Sequence, residues 1–262
     1  MPVRRSTFAR SFRRLTAATA AALMAVASLT VVTAAPAAAA AKDPVVIATG
    51  MTAGPIFEPA YWPLRDRLRA AGYTVDIFTM PDYGMGDIHA NAANLAAFVD
   101  GVRARTGAAK VDLIGHSMGG LVSRDYVKNL GGAAKVDSLI MLGTPNYGTT
   151  LASIGSFFWN CIGIVGCDQM AIGSDYLNAL NAGDDTIGSV RYTAISTIND
   201  ELVIPYWNVF LANNGNISNV TVQGQCWFRF VGHLGLIYDG AVADGIQDAL
   251  RGAPVRLNCW AW

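Results

Sequence analysis

The chain is expected to be an α/β protein with a mostly parallel central sheet of about six strands and helices on both faces. Three features predict it. Short Val- and Ile-rich segments are bounded by turn residues, helix-length amphipathic stretches lie between them, and several strands are apolar on both faces. Alternation at this spacing calls for right-handed crossovers, which lay successive strands parallel.

In chain order, "PVVIATG" (44–50) reads as the first strand, followed by the helical "YWPLRDRLRAAG" (61–72) and a second strand, "YTVDIF" (73–78). Residues 87–106 place Ile88, Leu95, Val99 and Val102 on one helical face, and "KVDLIGH" (110–116) is the next strand. The helix expected over 118–130 carries Leu121, Val122, Tyr126, Val127 and Leu130, and Gly131-Gly132 stops it. "KVDSLIML" (135–142), "VRYTAIST" (190–197) and "NVTVQ" (219–223) complete the strands. Residues 146–167 are Gly-rich and apolar without clear periodicity; they suit either core or an acyl-facing wall formed by Phe157, Phe158 and Trp159. In "NNGNISNVT" (213–221), Asn216 and Asn219 sit in Asn-x-Ser/Thr patterns, read here as turn chemistry.

Residues 1–41 differ from the rest. Arg4, Arg5, Arg10, Arg13 and Arg14, with no acid, precede an Ala-rich apolar stretch and the small residues Ala37 to Ala41. This is the layout of a secretory signal peptide cleaved close to Lys42, which leaves 42–262 as one catalytic domain without a transmembrane anchor. The arginine pairs leave Sec and twin-arginine export both open. Without the leader, 14 Lys and Arg face 19 Asp and Glu, a net charge of about −5, so the exported protein has no basic footprint for nucleic acid.

Cys161, Cys167, Cys226 and Cys259 all lie after the leader, and an even number in an exported chain points to two disulfides. Three pairings are possible. Cys161 with Cys167 is favoured because it pins a short loop, and Cys226 with Cys259 because it ties the chain end to a late strand. A zinc site is the rival, but no Cys-x-x-Cys pair or nearby His supports it.

The chemistry centres on "VDLIGHSMGG" (111–120), where Ser117 stands between Gly115 and Gly119 at a strand end, directly before a helix. A strained turn of this kind exposes a nucleophile outside the carboxyl ends of the strands, and Gly119-Gly120 lets the helix approach the sheet. A serine needs an imidazole to take its proton, oriented by a carboxylate. The chain has three histidines. His116 precedes the serine and is expected to point the wrong way, and His89 opens a helix, so the base is His233 in "FVGHLGLIY". For the acid, Asp200 follows a strand by three residues, with Glu201 its neighbouring rival. Asp168, Asp175, Asp184 and Asp185 lack a preceding strand, and Asp137 lies inside one. The oxyanion donors are expected to be the N–H of Met118, at the helix N-terminus, and that of Met51 in "ATGMTAGP".

These residues resemble the secreted bacterial class 2 lipases of the α/β-hydrolase fold, through "KVDLIGHSMGGLVSRDYVKNLGG", "LGTPNYGT" and "VGHLGLIY". A second likeness, to fungal lipases of the Candida antarctica lipase B type, rests on "TGMTAGP", "NYGTTLA", "INDELVIP" and the Cys226 to Cys259 tie. The resemblance implies nucleophile Ser117, acid Asp200, base His233 and oxyanion amides of Met51 and Met118. It also marks two departures. Thr49-Gly50 stands where the bacterial lipases usually have His-Gly, and Met51 replaces a threonine whose hydroxyl adds a third oxyanion donor, leaving Thr52 to substitute or two donors to suffice.

The resulting expectation is a secreted, monomeric carboxylic ester hydrolase, lipase or esterase, that acts on apolar esters at or near a lipid–water interface with no cofactor and no metal. The alternatives are a short-chain esterase or polyester hydrolase, an acyltransferase using the same triad, and a non-enzymatic binding protein on the same fold.

Overall fold

The computed structural model describes residues 42–54, 56–150, 155, 161, 163–212 and 215–261. The leader of the sequence analysis and the wall Phe157, Phe158 and Trp159 lie outside them. Six strands form one sheet: β1 Val45–Ala48, β2 Val75–Phe78, β3 Val111–His116, β4 Val136–Leu142, β5 Arg191–Ser196 and β6 Ile217–Thr221. Their order is β2-β1-β3-β4-β5-β6, and every neighbouring pair is parallel.

The helices are α1 Trp62–Ala70, α2 Ile88–Thr106, α3 Met118–Asn129, α4 Val165–Met170, α5 Asp175–Leu180, α6 Val222–Gln225 and α7 Gly240–Leu250, with short 3₁₀ turns between some of them. Side-chain alternation along the strands divides the core in two. Val46, Leu113, Leu139 and Met141 pack with Leu95 and Val99 of α2 and with Leu121 and Val122 of α3. Val45, Ile47, Ile114, Ile140 and Leu142 pack on the opposite face with Leu64 and Leu68 of α1 and Val242 and Ile246 of α7. All six residues of β3 are buried, as a central strand covered on both faces requires. Each fully buried Leu or Ile there contributes about 1.5–3 kcal/mol of transfer free energy.

Local chemistry sets the element ends. Asp87 caps α2 by accepting from the Ala90 N–H at 2.8 Å, and Gly107 closes it in the left-handed region at φ 72°. Several boundaries differ from the sequence reading, both ends of β6 among them. β6 begins at Ile217 rather than Asn219, and Val222 and Gln223 have already turned into α6. β6 is an edge strand with only Val220 buried, so its apolar pattern is too weak to define its register. No described helix is long and apolar enough to cross a membrane.

Candidate active site

Ser117 is the single residue between β3 and α3. Its backbone has φ 55° and ψ −129°, a region in which a residue with a side chain is strained and is held only by its surroundings. Glycines make that crowding possible. A Cβ on Gly115 would lie 2.5 Å from the Gly120 Cα, and one on Gly119 would strike the Ala48 carbonyl oxygen. The turn is fastened to β4 by the Ser117 N–H, which donates to the Leu142 carbonyl at 2.9 Å.

Asp200 lies in the loop after β5. Its Oδ1 accepts from the N–H groups of Leu202 and Val203 at 2.9 and 2.7 Å, which fixes the carboxylate before any side chain meets it. His233 Nδ1 is 2.9 Å from both carboxylate oxygens. An ionised carboxylate only accepts, so Nδ1 carries the proton and the opposite nitrogen, Nε2, is the bare one in the neutral ring. His233 Nε2 is buried and has no hydrogen-bond partner among the described residues. Further contacts brace the loops that carry Asp200 and His233. Thr197 Oγ1 donates to the Val231 carbonyl at 2.6 Å, and Thr149 Oγ1 bridges the Leu202 carbonyl at 2.6 Å and the Ile204 N–H at 2.9 Å.

Ser117 and His233 line one cavity of about 430 Å³ with Gly50, Met51, Thr52, Tyr61 and His116, and its remaining wall is largely apolar: Ala53, Phe57, Ala60, Leu202, Leu234 and Ile237. Met51 thus faces the hollow from the loop after β1. Met118 is the first residue of α3, where an N–H has no intrahelical acceptor. Gly143, at φ 55°, passes so close that a Cβ there would lie 3.1 Å from both Asp200 Oδ2 and His233 Cε1. Of the three possible cysteine pairings, the structure holds Cys161–Cys167 and Cys226–Cys259.

Two residues play parts that the sequence did not reveal. Glu201, the rival acid, does not touch the His233 ring; its Oε2 accepts from the His233 backbone N–H at 2.9 Å. His116 does not turn away from the cavity. Tyr61, directly before α1, and the His233 loop both pack on its side of β3, and its ring lies 4.8 Å from that of His233, centre to centre. Both of its nitrogens are engaged, Nδ1 with Tyr61 Oη at 2.9 Å and Nε2 with the His233 carbonyl at 3.2 Å. Burial, with His233 adjacent, lowers its pKa to about 3. His89 pairs with Asp125 at 3.0 Å.

A family model described as Lipase (class 2) matches residues 42–233. The chain belongs to the class 2 lipase family. The matched span holds Ser117 and Asp200 and ends on His233. Over 113 residues the chain is 34% identical to a triacylglycerol lipase of Pseudarthrobacter phenanthrenivorans and, over a stretch of equal length, 35% identical to one of Burkholderia plantarii. Each alignment takes in 42% of this chain but only 35% and 31%, respectively, of the curated relatives. Among solved structures, Aspergillus fumigatus lipase B superimposes with a TM-score of 0.69 at 22% identity, covering 83% of this chain and 55% of that one. The mature form of a Bacillus licheniformis lipase superimposes at 0.55 and 17%, covering 76% and 88%. At such identities the likeness is one of fold, and the fold of this class 2 lipase is that of the α/β-hydrolases.

Proposed function

We propose that this class 2 lipase is a secreted carboxylic ester hydrolase acting on apolar acyl esters, acylglycerols among them, through Ser117, His233 and Asp200. One observation carries the reading: His233, held by Asp200 through Nδ1, presents a bare, buried and unpartnered Nε2 to the cavity that the strained Ser117 enters. In that arrangement Ser117 Oγ attacks the ester carbonyl while His233 Nε2 takes its proton, and Asp200 stabilises the imidazolium. The oxyanion is stabilised by the N–H groups of Met51 and Met118. His233 then protonates the departing alcohol, and water cleaves the acyl-enzyme by the same steps in reverse. Phe57, Leu202, Leu234 and Ile237 suit an acyl chain better than a polar one. Two disulfides support an oxidising destination.

The test is hydrolysis of p-nitrophenyl esters from acetyl to palmitoyl, with and without an emulsion. Ser117→Ala and His233→Ala should each lower kcat by roughly 10⁴-fold or more, and Asp200→Asn by about 10⁴-fold or less, with folding intact by circular dichroism. Near-normal turnover in Asp200→Asn with loss in Glu201→Gln would reverse the assignment of the acid. A rate confined to the shortest esters would favour an esterase over a lipase.

A further inference from the structure

Along the cavity wall, three buried hydrogen bonds run in a single direction. The Gly50 N–H donates to Tyr61 Oη at 2.8 Å. Tyr61 Oη lies 2.9 Å from His116 Nδ1, and His116 Nε2 lies 3.2 Å from the His233 carbonyl oxygen. A carbonyl only accepts, so His116 Nε2 must carry a proton. Burial keeps the ring neutral, so Nδ1 is bare and accepts from the Tyr61 hydroxyl. Burial also raises the Tyr61 pKa, which keeps that hydroxyl protonated. Its oxygen is then left to accept from Gly50. Each link has one proton and one permitted direction.

The two ends of this chain matter for the reaction. Gly50 directly precedes Met51, and His233 is the base. We propose that Tyr61 and His116 are positioning residues that hold the oxyanion loop and the base loop in a common register, so that the oxyanion amide of Met51 and Nε2 of His233 stay aimed at the same carbonyl. This rests on the functional reading above. Glu201 completes the clamp, gripping the His233 N–H while His116 grips its carbonyl. The residues joined are far apart in sequence, 11, 55 and 117 positions for the three links, so no local turn explains the arrangement.

The role predicts a transition-state effect rather than a binding one. Tyr61→Phe keeps the ring and removes the link. It should lower kcat by about 10-fold or more with KM nearly unchanged, less than the 10²–10³-fold attached to outright loss of an oxyanion donor. Affinity for an alkylboronic acid, whose tetrahedral adduct mimics the intermediate, should weaken in proportion to kcat/KM. All rates are taken at 25 °C on protein verified as folded. If Tyr61→Phe does not fold, the pair His116→Gln and His116→Leu decides, because the Gln amide supplies both a donor and an acceptor. Gln should then restore most of the kcat and boronate affinity that Leu loses. A lowered melting temperature with unchanged kcat and boronate affinity in Tyr61→Phe, or equal rates in the two His116 variants, would overturn the proposal. Wild-type protein inactive on every ester would sink the functional reading itself, a different and distinguishable outcome.

Discussion

Gly143 illustrates how little room single residues have in this site. It sits at φ 55°, where any side chain is strained, and its missing Cβ leaves space for His233 and Asp200. Gly143→Ala should therefore reduce both stability and kcat, whereas an alanine at Gly101, where a Cβ meets nothing within 4 Å, should be tolerated. Paired melting curves and ester hydrolysis check this. A second residue-scale prediction concerns Asp112, at the far end of β3 from Ser117. Burial raises its carboxyl to about 7, with Asp43 and Asp137 adding to the rise and Ser138 opposing it. The folded state therefore holds a proton that the unfolded chain releases near 3.8, so this group's contribution to stability falls as pH rises from about 4 to 7. Asp112→Asn should flatten that slope and raise the melting temperature most at pH 8; an unchanged slope would contradict it. Ser117 and His233, which line one cavity, were legible as candidates because chain order and proton chemistry left few alternatives. The contacts of Glu201, Tyr61 and His116 were not, since they exist only once distant segments meet.

The β3–Ser117–α3 unit positions the proposed nucleophile, and most of it could be read from pattern: a continuous apolar run, a small-residue turn and a helix with a Gly stop. Its tightness could not. A Cβ on Gly120 would overlap Thr144 Oγ1 and lie 2.7 Å from Thr144 Cβ and Cγ2. Gly120→Ala should thus destabilise the fold by about 1–3 kcal/mol through overpacking. Adding Thr144→Ala should recover part of the loss, as urea denaturation would register. Other elements escaped the sequence reading for physical reasons. α4 and α5 have six residues each, too short for a clear period. α7 contains Gly240 and Gly245, poor helix formers, yet a Cβ on Gly245 would lie 2.5 Å from Leu257 Cδ2, so close packing with the chain end selects the glycine. β6 was misplaced by two residues, because its register is set by pairing with β5 and by Asn219, whose amide bonds both the N–H and the carbonyl of Leu211.

Across the whole molecule, the Cys226–Cys259 bridge encloses His233, the proposed base, in a loop of 33 residues. Chain-entropy estimates for that length give about 3–4 kcal/mol, a large share of a domain's typical net stability of about 5–15 kcal/mol. Reduction should lower the melting temperature by roughly 10 °C. Arg229 should retain part of the closure, since it binds Asp239 Oδ2 at 2.7 Å and the carbonyls of Cys259 and Ala261 at 2.6 Å each. No change on reduction would mean that those contacts alone hold the chain end. The central claim, that Ser117 is a nucleophile activated by His233, has a more direct test in covalent capture. The folded protein is incubated with a p-nitrophenyl alkylphosphonate, the released p-nitrophenol is counted, and the adduct is located by peptide mapping. The expected result is one equivalent released per chain, the phosphonyl group on Ser117, and a rate lowered by orders of magnitude in His233→Ala. No release from folded protein, an adduct on another residue, or labelling of Ser117 at the same rate without His233 would contradict it.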